Sequence, residues 1–152
     1  MSAQSSVNFE PHPKRATKYK GAANKPLVHL IPKTENQALY IKALKEEAQV
    51  ICMGPAGTGK TYVVATHAAN RYISKDIHKI IITRPHVPVG RDIGFLKGDL
   101  ADKTLPWAMP VLDVLEQHLG KGAVETGLKN GNIEVAPMAL MRGRSFDNAY
   151  II

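Results

Sequence analysis

The residues Gly54 to Thr61 read GPAGTGKT and fit the spacing G-x-x-x-x-G-K-[ST]. At Gly54, Gly57 and Gly59 the backbone is expected to take positive φ and to approach an anion with no Cβ in the way. The successive N–H groups of such a loop point inward and meet the positive end of the following helix. A triphosphate would therefore sit where fixed donors and the helix dipole both favour negative charge. Lys60 would bring a full charge to the β and γ phosphates, and the Thr61 hydroxyl would ligate Mg²⁺. All eight positions, Gly54, Pro55, Ala56, Gly57, Thr58, Gly59, Lys60 and Thr61, are read as nucleotide-binding, with Lys60 and Thr61 nearest the chemistry. The plain alternative is a glycine-rich turn with an accidental lysine, and the flanking sequence argues against it.

That flanking sequence supplies the elements such a loop needs. Gln49–Met53 (QVICM) is a β-prone run, and KTYVVATHAANRYI after the loop reads as a helix. A second strand, His78–Thr83, follows at a distance that suits a helical crossover to a parallel neighbour. Before the loop, Thr34 is a plausible N-cap for ENQALYIKALKEEA, which sets Ala38, Ile41, Leu44 and Ala48 on one face. Arg84 to Asp99 is rich in Pro and Gly and reads as a long, irregular connection of the kind that is often functional. A helix is expected over Leu105–Leu119, with Pro106 and Pro110 in its first turns and Asp99 and Asp102 as capping residues. Asn130-Gly131 marks a turn, Ile133–Ala136 a third strand, and AYII the opening of another buried strand. This last run predicts a sheet completed by residues beyond Ile152. The fold class is α/β, a P-loop NTPase with a mostly parallel sheet flanked by helices.

Composition narrows the setting. A chain of 152 residues with 44% hydrophobic and 22% charged residues suits one soluble globular domain. Cys52 is the single cysteine, no apolar leader opens the chain, and no run reaches the ~18 residues that cross a bilayer, so a cytoplasmic location is expected. The six histidines lack zinc-type spacing, and Mg²⁺ is the only metal expected. Of the net charge of +7, Met1 to Lys33 carries +5, from six Lys/Arg against Glu10. Residues 1–33 are accordingly read as a basic, disordered arm, able to neutralise nucleic-acid phosphates or merely solvated, and 34–152 as the folded domain. Kinases, GTPases, ATPases and helicases all use such a loop. The Asn-Lys-x-Asp element that reads guanine is missing, since the only Asn-Lys, Asn24-Lys25, precedes the loop, and ATP is favoured over GTP.

GPAGTGKT, then IIITRP, GFLKGDL and IEVAPMALMRGRSFDNAYII, occur in the order and with the spacing of a known family. From about Pro32 to Ile152 the chain resembles the PhoH-like P-loop ATPases, which are related to the superfamily 1 helicase core. The resemblance implies a RecA-like core, ATP binding, ATPase activity and a role in RNA or phosphate-starvation metabolism, and the partners expected are nucleotide, single-stranded RNA or DNA, and further copies of the protein in a homo-oligomer. It implies that Gln37 reads the adenine edge, for which a carboxamide offers donor and acceptor together. It implies that Thr83, Arg84 and Pro85 contact single-stranded nucleic acid, although Arg84 could equally pair with Asp92 or Asp99.

Arg142 and Arg144, past the third strand, could meet phosphate or a neighbouring subunit, or pair with a carboxylate. Phe95 and Trp107 could stack on bases or belong to the core. Members of the family continue after the AYII-like strand into Asp-Glu-Ala-Gln, whose acids hold Mg²⁺ and orient water. A chain without those acids is expected to cradle phosphate with little turnover. Two rival readings use the same loop. One is a small-molecule phosphotransferase with Arg142 and Arg144 on a lid, and the other a nucleotide-binding regulatory module without turnover.

Overall fold

The run KIIITR forms strand β1 (Lys79–Arg84), whose β-branched middle suits a pleated surface buried on both faces. Ile80, Ile81 and Ile82 are all buried, although alternate side chains point to opposite faces. The structure, a computed structural model, describes residues 25–85 and 100–152. The basic stretch through residue 24, the GFLKGDL block up to Asp99, and Asp92 and Phe95 lie outside the described residues.

Strand β1 is the middle of three parallel strands. Strand β2 (Ile133–Pro137) flanks it in register Ile80↔Ile133 to Arg84↔Pro137, and β3 (Ala149–Ile151) flanks it in register Lys79↔Ala149 to Ile81↔Ile151. The expected second, third and final strands are thus present, in an α/β arrangement in which the sheet is wholly parallel.

Helix α1 (Glu35–Glu46) starts where the cap predicts, since the Thr34 side chain accepts a hydrogen bond from Gln37 N. Ile41 and Leu44 bury against Val63, whereas Ala38 and Ala48 are exposed and the helix stops before Ala48. Helix α2 (Lys60–Ile73) matches the run KTYVVATHAANRYI residue for residue. Its Ala65, Ala68, Ala69 and Ile73 join Ile80 and Ile82 of β1 and the buried faces of α3 (Leu100–Leu119) and α4 (Lys121–Asn130) in one core. These three helices form a layer on the Ile80/Ile82 face. Thr66 of α2 and His118 of α3, both buried, meet at 3.0 Å and pin that layer internally.

Four expectations need correction. Residues 49–53 pair with no strand among the described residues, and Ile51 and Met53 are 81% and 90% exposed. A β-prone run becomes a strand only beside a neighbour for its N–H and C=O groups; β1 has both sides taken, and the outer edges of β2 and β3 do not pair with residues 49–53. Helix α3 begins at Leu100 rather than Leu105, so Pro106 and Pro110 are interior and Asp102 lies within the helix rather than capping it. Both prolines are on the exposed side, opposite Ala108, Val111, Leu112 and Leu115, so the lost backbone bonds fall toward water. Helix α4 was not expected at all. Finally, the arm assigned to 1–33 is not loose throughout: from Lys25 it is described, and Val28 exchanges hydrogen bonds with the Asn70 side chain at 2.9 and 2.8 Å.

Candidate functional site

The loop 54–59 enters α2 through Gly59, whose left-handed backbone (φ 83°) makes it the helix N-cap. No side chain caps this end, so the first N–H groups of α2 are left to an outside acceptor. Gly57 is also left-handed (φ 77°), but Gly54 is not among the positive-φ glycines. This corrects the expectation for Gly54. The reversal of the chain begins at Gly57, and a Cβ on Gly54 would meet only ordinary contacts at 3.8 Å.

The Lys60 ammonium folds back over the loop, donating to Gly54 O at 2.8 Å, to Pro55 O, and to Thr58 Oγ1 at 3.3 Å. Thr58 Oγ1 in turn donates to Pro55 O at 2.9 Å. The cation is therefore held at the loop by weak, exchangeable carbonyl partners, ready for a stronger anionic one. Thr61 follows in the first turn of α2 and is exposed. Pro55 and Ala56 form the exposed crest of the loop.

A cleft of about 940 Å³ opens beside the loop. Its walls include His29–Ile31 of the segment before α1, Gln37 and Tyr40 of α1, and the loop residues Gly54, Pro55 and Gly57 to Lys60, whereas Ala56 and Thr61 do not line it. Burial, with smaller contributions from Cys52 and Tyr150, pushes the Tyr40 phenol up to about 12, so it stays a neutral wall group. The contribution of His29–Ile31 was missed from sequence. The available signal was the apolar run LVHLIP inside an otherwise polar, basic stretch.

Gln37 lies on this wall with both ends of its carboxamide engaged. Nε2 donates to Thr58 O at 3.0 Å, and Oε1 accepts from Lys33 N at 2.7 Å.

The remaining predicted residues are elsewhere. Thr83 and Arg84 end β1; Arg84 is exposed, and Thr83 Oγ1 is buried without a hydrogen-bond partner. Arg142 is exposed after a 3₁₀ turn (Met138–Met141). Arg144 is not directed to a ligand edge. Its guanidinium makes a bidentate pair with Glu134 at 2.6 and 2.9 Å and lies 5.0 Å from the Phe146 ring centroid. Lys79 reaches the same carboxylate at 2.6 Å. The Arg144 hydrogen bonds, with Lys79 adding to them, hold the Glu134 carboxyl down at about 2 despite partial burial. Trp107 is half-buried and packs on the core, as its core reading expected.

Among the described residues no group of three or more His, Cys, Asp or Glu could hold a metal ion, and no helix is long and apolar enough to cross a membrane.

A family model described as PhoH-like protein matches residues 29–152. The chain belongs to the PhoH family. It is 45% identical over 120 residues to a PhoH-like protein of Bacillus subtilis (strain 168), covering 79% of this chain and 38% of that protein. It is 42% identical over 125 residues to Protein PhoH of Escherichia coli (strain K12), covering 81% of this chain and 35% of that protein. A PhoH-like protein of Synechocystis sp. is 41% identical over 120 residues. The chain thus spans little more than a third of the length of the curated relatives it matches. The matched region takes in the cleft wall from His29, the whole loop and all three strands, so site and family membership rest on the same residues.

Proposed function

We propose that this PhoH-family chain binds ATP with Mg²⁺ in the cleft beside the loop Gly54–Thr61. The carrying observation is the uncapped N-terminus of α2 behind left-handed Gly57 and Gly59, with the Lys60 ammonium held over the same loop. Backbone donors, helix dipole and a full positive charge converge there, which is the arrangement a polyphosphate needs. The cleft volume of about 940 Å³ suits a ligand of nucleotide size. Mg²⁺ would arrive on the phosphates and take the Thr61 hydroxyl as a protein ligand.

For the whole protein we propose ATP hydrolysis coupled to single-stranded RNA or DNA, in a homo-oligomer. Arg84, exposed beside the unpartnered Thr83 hydroxyl, is the proposed nucleic-acid contact. The phosphotransferase reading loses its main support, because Arg144, one of the two arginines offered for a lid, is committed to Glu134.

The test is calorimetry of Mg·ATP binding to the wild type and to Lys60→Ala, beside ATP turnover with and without single-stranded RNA. Loss of the lysine charge should weaken binding by roughly 2 to 4 kcal/mol, as for one member of a charge pair. Equal binding by both proteins removes the loop from the site. Phosphate transfer to a metabolite without RNA stimulation would favour the phosphotransferase.

A further inference from the structure

We infer that Gln37 is a positioning residue for the phosphate loop, bracing it against the segment before α1, rather than a reader of the nucleotide base. The inference rests on the nucleotide-binding reading above and concerns how that site is held in shape.

The local chemistry explains how Gln37 comes to this role. It is the third residue of α1, and its own N–H is taken by the Thr34 cap at 3.2 Å. A glutamine at this position ordinarily reaches back to the N–H of the capping residue. Here its Oε1 accepts instead from Lys33 N, one residue earlier, at 2.7 Å. That shift leaves Nε2 free to cross to the loop, where it donates to Thr58 O at 3.0 Å across 21 residues of chain. One end faces an N–H and the other a carbonyl, which fixes the orientation of the amide.

Two further contacts close the arrangement. A Cβ on Gly59 would come within 3.3 Å of Gln37 Nε2, so the glutamine rests against the loop at the very residue whose left-handed backbone starts α2. The segment that supplies Lys33 N is itself anchored to α2 through Val28 and Asn70. Loop, α1, segment and α2 therefore form a closed circuit with Gln37 at the crossing.

The consequence for phosphate follows from peptide geometry. Thr58 C=O and Gly59 N–H belong to one planar trans peptide and point in opposite directions. Holding the carbonyl toward α1 aims the Gly59 N–H away from α1. On the proposed site, that N–H is a phosphate donor held in place before the ligand arrives, which lowers the ordering cost of binding. A base reader would act differently, by contacting only the part of the ligand that varies among nucleotides.

The experiment compares Gln37→Ala and Gln37→Glu with the wild type, using ATP, GTP, CTP and inorganic tripolyphosphate as ligands in calorimetry. Glutamate keeps the acceptor for Lys33 N but cannot donate to Thr58 O. Both variants should lose affinity for all four ligands by a similar factor, about tenfold for loss of one positioned hydrogen bond. The ratios among nucleotides should stay fixed, and amide exchange at Thr58 and Gly59 should quicken in both apo variants. A changed ATP-to-GTP ratio with unchanged tripolyphosphate binding overturns the brace in favour of base reading. Unchanged affinity for every ligand overturns it as well. A wild type that binds none of the four sinks the nucleotide-binding reading instead.

Discussion

The Tyr150 hydroxyl lies 3.0 Å from Nδ1 of His67, so the helix that begins at the loop 54–59 is tied directly to strand β3. The rings are tilted at a centroid distance of 5.6 Å, and His67 is buried. Burial first, then Arg71 and Lys45, hold the His67 pKa below its ordinary value, while burial raises that of Tyr150. A neutral imidazole facing a protonated phenol is the consistent pair, and the imidazole tautomer decides which of the two donates. On the proposed nucleotide-binding reading, a motion of α2 would be carried to β3 through this contact.

This pair and its counterpart in α3 should give the protein a pH-dependent stability just below neutrality. His118, against Thr66, is also held below its ordinary value, by burial and then Lys25. In the unfolded chain both imidazoles titrate near about 6.5. Their contribution is fully present above that pH and is lost as pH falls from there through the lowered folded values, because the unfolded state takes up the protons first. The thermal midpoint should drop across this window, and a His67→Gln, His118→Gln double variant should flatten the profile. A wild-type midpoint that is level across the window would show that the two imidazoles are not held neutral.

A separate, more acidic window belongs to Glu134. Its carboxyl is held at about 2 against an ordinary value of 4.5, chiefly by Arg144 and then Lys79. The sign is that of a depressed carboxylate: stability is present above 4.5 and is lost as pH falls toward about 2. Glu134→Gln should remove this acid step and speed amide exchange in residues 142–148, the connection that Arg144 anchors. If the acid step persists unchanged in the variant, it comes from other carboxylates.

The three glycines of the loop should not be equivalent. Gly57→Ala places a side chain at φ 77° with open space around it, so its cost is backbone strain alone, about 1 to 2 kcal/mol. Gly59→Ala adds to a similar strain the 3.3 Å approach to Gln37 Nε2 and should cost more, with loss of nucleotide affinity. Gly54→Ala should leave stability nearly unchanged, because its φ is ordinary and its new contacts would be at 3.8 Å. Urea denaturation of the three variants gives the order, and a Gly54→Ala as costly as Gly59→Ala would contradict the loop geometry.

Which features were legible in the sequence follows from how local their causes are. The loop, α2 and the Thr34 cap are set by residues within a few positions of one another, and all could be read directly. Helix α4 was not legible because KGAVETGLKN holds two glycines, starts at an uncapped Gly120 and buries only Val124 and Gly127, too narrow a stripe to show a period. The 49–53 run was misread because strand formation depends on a partner, and partner choice is decided by the whole sheet. Gln37 lines the cleft, but its two hydrogen bonds depend on where Lys33 and Thr58 come to lie, which spacing along the chain does not give.

The same sheet order predicts self-association. Among the described residues β3 pairs only with β1 and none covers its outer edge, where Ile151 is 47% exposed. Residues 49–53 add Ile51 and Met53, both largely exposed, to the apolar surface of the same chain. Open edges with apolar side chains recruit further strands unless charge or proline blocks them, and AYII carries neither. Light scattering of this 152-residue chain should therefore give a mass above that of the monomer, rising with protein concentration. Ile151→Lys should lower it, because a lysine on an edge strand disfavours pairing with another chain. Ile51→Lys should do so less, since that residue carries no ladder. Association that is insensitive to Ile151→Lys would place the contact elsewhere, and a wild type that stays monomeric at high concentration would show that β3 is protected despite its open side.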